Sequence, residues 1–173
     1  MKQWYMLTLV GKDRPGIVAQ VTATLFAAGC NLGETSMLRL GSNFTIMLML
    51  EASQSGAELE AELAPLTDSL GLHRHIDAVE GGLHQHLEPD VQITVYGADR
   101  AGIVARATEA LADAGLNIID LESKVGGSEA APVYVMQIEG VATAGVEPLQ
   151  SALGRIRRDG VEAQLQTVDV LIG

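Results

Sequence analysis

The sequence predicts an α+β protein built from two βαββαβ units in tandem, each an antiparallel sheet with two helices on one face. Three observations carry that prediction. A segment near the start returns 86 residues later. Both copies pass through strand-like and helix-like apolar spacing in the same order. The 173 residues leave each copy fewer than ninety, which suits a small domain.

Gly11-Lys12-Asp13-Arg14-Pro15-Gly16-Ile17-Val18-Ala19 returns as Gly97-Ala98-Asp99-Arg100-Ala101-Gly102-Ile103-Val104-Ala105. Thr8–Asn31 and Thr94–Asn117 share thirteen residues in twenty-four aligned positions. This period is too long for a solenoid repeat and fits a duplicated domain.

Trp4–Val10 and Val91–Tyr96 are rich in aromatic and branched residues and read as the first strands. Pro15 suits the first turn of a helix, where its missing N–H is no loss. Ile17, Val21, Leu25 and Ala28 then form a stripe at helical spacing, which Ile103, Ala107, Leu111 and Ala114 repeat. Gly29 and Gly115 close these helices as C-terminal glycines do. Two strands follow in each copy, about Leu32–Leu40 with Thr45–Leu50, and Ile118–Val125 with Val133–Ile138. Gly41-Ser42-Asn43 makes a short hairpin connection in the first copy. A longer connection, Gly126 to Pro132, is expected in the second. The second helices carry Leu59, Leu63 and Leu66, matched by Leu149, Leu153 and Ile156. Ser55 with Glu58 is a capping-box pattern. Pro65 predicts a kink or a delayed start. Gly71 and Gly160 end these helices, and His73–Val79 and Val161–Val168 are the last strands.

The expected boundaries are 1–81 for the first domain, 82–89 for a linker and 90–173 for the second domain. Hydrophobic residues make up 47% and charged residues 19%, the composition of a packed chain rather than a disordered one. The apolar run Ile46–Leu50 is far shorter than the ~20 residues of a membrane span. No signal-peptide pattern follows Met1. The single cysteine, Cys30, forms no internal disulfide and holds no structural zinc alone. These features favour the cytoplasm. The net charge of −11 disfavours direct binding to nucleic acid or to an anionic membrane, and favours a basic protein partner.

The repeated loop is the candidate site. Gly11 allows an unusual turn where a strand ends. Gly16 and Gly102 let a ligand approach the backbone, and free amides at a helix start attract a carboxylate. Asp13 and Asp99 can pair with an ammonium group, so the complementary ligand is a small zwitterion, an amino acid. Arg14 and Arg100 are the repeated cations of the loop. The competing readings are plain ones: the aspartates cap the helices, and the arginines are solvated charges. His73 and His75 share one strand face, while His84 and His86 sit in the linker; an exposed strand end explains them without a metal. No cofactor is expected.

Gly11-Lys-Asp-Arg-Pro-Gly-Ile-Val-Ala, the helix end at Gly29 and Asn31-Leu32 resemble an ACT domain, and Gly97 to Ile118 resembles a second. The resemblance covers nearly the whole chain and implies a ferredoxin-like fold and amino-acid binding, commonly at an interface between copies. A short acidic chain of two such domains is similar to transcriptional repressors that sense glycine and act on a DNA-binding activator by protein contact. The resemblance puts Gly11, Asp13, Arg14 and Gly16 in one site, and Gly97, Asp99, Arg100 and Gly102 in another. Asn31 and Asn117 would reach a ligand at the domain interface, or else serve as turn residues. Ala101 departs from the motif's proline.

The expectation is therefore a non-catalytic regulator, sensing glycine foremost, acting through a protein partner and forming a homo-oligomer. Two other readings compete with it. A scaffold would pair its sheets with a partner and bind no ligand. A small enzyme would need a convergent acid, base or nucleophile.

Overall fold

Tyr5, Leu7 and Leu9 alternate with half-exposed residues, and this two-residue period makes β1 (Gln3–Lys12) a strand with one buried face. β3 (Asn43–Ala52) repeats the pattern with Phe44, Ile46, Leu48, Leu50 and Ala52. The two pair antiparallel, Leu7 opposite Leu48 and Gly11 opposite Phe44. β2 (Asn31–Leu40) and β4 (His73–Val79) complete a sheet of order β2-β3-β1-β4. Helices α1 (Ile17–Ala27) and α2 (Gly56–Leu70) lie on its buried face, delivering Ile17, Val21, Leu25, Leu59 and Leu63 to the core.

The second unit repeats this with β5 (Val91–Ala98), α3 (Ile103–Asp113), β6 (Leu116–Ser128), β7 (Ala131–Ala142), α4 (Val146–Arg158) and β8 (Glu162–Thr167). Its sheet order is β6-β7-β5-β8. Val91, Ile93, Val95, Met136 and Ile138 meet Ile103, Ala107, Leu111, Leu149 and Leu153 in a separate core. This computed structural model describes residues 2–80, 87–98, 102–128, 131–158 and 160–168. The chain divides into two units, Met1–His84 and Gln85–Gly173. Among the described residues no helix is long and apolar enough to cross a membrane.

The expected α+β fold of two ferredoxin-like units is what the chain adopts, and three local expectations need correction. Pro15 lies before α1 rather than in its first turn, because the chain reaches the helix through a left-handed Gly16. Helix α2 starts at Gly56, directly after its cap, and runs on through Pro65, so the start is not delayed. Gly126 to Pro132 is not a long loop: Gly126, Gly127 and Ser128 continue β6 against Val133, Pro132 and Ala131. The last rung of β5 pairs Ala98 with Val133. Pro132 lies one residue beyond it, where β5 requires no N–H from β7.

Candidate functional site

Lys12 ends β1 and Ile17 begins α1, so four residues turn the chain from sheet to helix. Gly16 makes the turn with φ +87° and ψ −1°, and Gly102 takes φ +81° in the second unit. A side chain in that left-handed region costs about 1–2 kcal/mol, which is why both copies carry glycine there. The Gly16 carbonyl accepts the Gln20 N–H at 3.0 Å and starts the helical ladder. Among the described residues no side chain caps α1 or α3, and none partners the first amides of α1.

Asp13 is therefore not the helix cap that the competing reading expects. Its carboxylate accepts from Arg39 Nε at 2.8 Å, and its own N–H donates to the Ser42 carbonyl at 2.9 Å. These two contacts tie the β1–α1 turn to the β2–β3 hairpin. The Asp13 side chain is 28% exposed and that of Arg39 60%, so this is a surface pair worth about 0–1 kcal/mol. A cleft of about 450 Å³ opens beside it, lined by Asp13, Arg14, Gly16, Val18, Met37 and Phe44 among others. Phe44 forms a buried floor, while Met37 is 47% exposed at the rim. Arg14 is exposed at the cleft, as the solvated-charge reading also allows. The cleft offers the Asp13 carboxylate, the Arg14 guanidinium, helix-start amides and an apolar floor, and Arg39 meets it through Asp13.

Gly11 has a different role from the one expected. It sits within β1 and lacks a left-handed φ. A Cβ built there would lie 2.6 Å from Leu72 Cδ2 and 3.2 Å from the Gly71 carbonyl oxygen. It is glycine so that β1 can pass under the end of α2. At Gly97 the same construction meets nothing nearer than 3.7 Å. Asn31 pairs with Glu51, which faces Trp4 at the start of β1, whereas Gly11 faces Phe44 at the other end. Asn31 is thus about 23 Å along the sheet from its own unit's loop, by strand rise. Asn117, opposite Val141, lies likewise at the far end from Gly97, opposite Tyr134. Asp99 and Arg100 fall outside the described residues.

Arg39, Met37 and Phe44 were not expected in the site. Register explains why. Arg39 faces Phe44 in the first unit, and Val125 faces Tyr134 at the same rung of the second. A search for residues common to both copies passes over a position that differs between them. The usable signal was the alternation Met37, Arg39 on the core-side face of an edge strand next to the hairpin turn.

His73 and His75 do share a face of β4, and His75 Nε2 lies 3.1 Å from Asp77. Among the described residues no three His, Cys, Asp or Glu gather to hold a metal. His84 and His86 fall outside the described residues. Burial pushes the Cys30 thiol pKa up, and the Glu62 carboxylate adds to the effect.

Residues 4–77 and 91–160 each match a model of the ACT domain. The chain is 29% identical over 130 residues to the glycine cleavage system transcriptional repressor of Escherichia coli, covering 74% of this chain and 68% of that protein. It is 35% identical over 83 residues to UPF0237 protein YjhC of Lactococcus lactis, covering 46% of this chain and 95% of that one. A crystal structure of a protein from Galdieria sulphuraria has the same fold over 97% of this chain and 99% of its own, with TM-score 0.76 and 22% identity.

Proposed function

Because the chain belongs to the ACT-domain family, with two copies in tandem, we propose that it is a non-catalytic sensor of a small amino acid, glycine first among them. The Escherichia coli relative is a transcriptional repressor. By that kinship the sensor acts on a transcriptional regulator through protein contact, and the surplus of acid residues argues against direct contact with DNA.

The cleft at the β1–α1 turn carries this reading. The uncapped amides of α1 suit the ligand's carboxylate, and Asp13 suits its ammonium. Asp13 already holds Arg39, so an arriving ammonium competes with that guanidinium. Ligand binding then loosens Arg39 on the exposed edge strand β2, where a partner can sense it. Coupling between ligand and partner of this kind is typically ~1–3 kcal/mol. The second unit carries Val125 at the rung where the first carries Arg39.

Calorimetry of the full chain with each common amino acid tests the reading. Glycine or serine is expected to give saturable heat that Asp13→Ala abolishes. No heat and no thermal shift with any amino acid at millimolar concentration overturns it.

A further inference from the structure

We propose that the open sheet face of the first unit is where two copies of this chain meet, face to face about a two-fold axis. The face opposite the helices carries Trp4, Met6, Thr8 and Val10 from β1, Thr45, Met47 and Met49 from β3, and Leu38 and Leu40 from β2. Val10, Leu38, Leu40 and Met47 are 42, 55, 72 and 43% exposed. Met6 lies directly opposite Met49, and Thr8 opposite Met47, so the middle of the face has no charge. The single tryptophan lies flat on it. A Cβ on Gly33 of β2 would come within 3.0 Å of Trp4 Cζ3 and 3.3 Å of the Met49 Cβ, so the indole reaches from β1 across β3.

The duplicate provides the control. At the same rungs the second unit carries Gln92 for Met6, Gln137 for Met47, Glu139 for Met49 and Lys124 for Leu38. The shared fold therefore does not require an apolar open face; the first unit has one for another reason. Polar groups stand towards its edges: Glu51 is held by Lys2 at 2.8 Å, and the β4 edge carries His73, His75 and Asp77 opposite Val10, Thr8 and Met6, with His75 3.1 Å from Asp77. A face whose β1, β3 and β2 strands are apolar at their centre is complementary to itself, which is what an isologous contact needs. Its size agrees. Three strands of ten residues and β4 with seven span roughly 600 Å². Two copies then remove roughly 1,200 Å², the lower end of specific interfaces. Sheets stacked in this way sit about 10 Å apart with a shared side-chain layer.

The inference stands apart from the amino-acid reading, since it needs no ligand. The test is sedimentation of the full chain without amino acids from about 1 to 100 μM, micromolar affinity being expected for an interface of this size. Trp4 fluorescence is read in the same samples. The wild type is expected to dimerise, with Trp4 emission shifting to the blue and iodide quenching falling as it does. L38K/M47Q/M49E installs residues that the second unit carries, and is expected to weaken association at least ~100-fold with an unchanged circular dichroism spectrum. If that variant folds poorly, the single change Met47→Gln is used and is expected to weaken association about tenfold. A wild type that stays monomeric throughout, a folded variant that dimerises as the wild type does, or Trp4 quenching indifferent to association overturns the proposal.

Discussion

Gly11 and Gly97 occupy equivalent rungs and are glycine for unequal reasons. Gly11→Ala drives a methyl into Leu72 and the Gly71 carbonyl oxygen, and is expected to cost about 1–3 kcal/mol in a denaturant titration. Gly97→Ala meets ordinary contacts and is expected to stay within about 0.5 kcal/mol of wild type. Arg39 gives a sharper test of the binding reading. If Asp13 receives the ligand's ammonium, Arg39 competes for the same carboxylate, so Arg39→Gln should tighten glycine binding a few-fold by calorimetry. Weakened binding would instead make Arg39 a carboxylate clamp. At this scale the sequence was only partly legible. Repetition drew the eye to Asp13, Arg14 and Gly16, which do share a cleft. It added Asn31, expected to reach a ligand at a domain interface, and within its own unit an eleven-residue helix carries Asn31 to the other end of the sheet from the loop. It missed Arg39, whose counterpart is valine.

At the scale of elements, α2 shows how local chemistry decides a helix. The Ser55 N–H and hydroxyl both donate to Glu58, at 2.7 and 2.8 Å, and the Glu58 N–H donates back to Ser55 Oγ. These bonds, the backbone one foremost, hold the Glu58 carboxyl below the usual glutamate range. A lowered folded pKa means stability that is full above the unfolded value, near ~4.3, and lost as pH falls through the folded one. Glu58→Gln should therefore flatten the acid limb of the stability curve below about pH 4.3, measured by urea titrations across pH. Pro65 works against the same helix, since it cannot donate to the carbonyl one turn back and yet sits exposed inside it. Pro65→Ala is expected to stabilise the chain by about 1–2 kcal/mol, after allowing for the looser unfolded state. The helices and strands were readable because their apolar stripes recur in both copies. The β6–β7 hairpin was not, because Gly126, Gly127 and Pro132 look like breakers. They are tolerated there because the hairpin runs past the end of β5, where the neighbouring ladder makes no demand on them.

On the scale of the whole molecule, duplication has kept the cores and changed the surfaces. Phe26 is 80% exposed on α1, which has no charged residue, while its partner helix α3 carries Arg106, Glu109 and Asp113. The tandem fold followed from the repeat, but the chemical divergence of the two surfaces needed the register to be seen. If the first unit alone holds the ligand, saturation at about a hundred times Kd should raise its stability by ~2.7 kcal/mol and leave the second unit's transition where it was. Differential scanning calorimetry with and without glycine checks this. Cys30 supplies the means of telling the halves apart. It is buried in the first core, and Leu116 stands at the matching place in the second. A thiol-reactive dye can reach that sulfur chiefly when the first core breathes open. Its capture rate is a built-in clock on one twin, kept silent by the other.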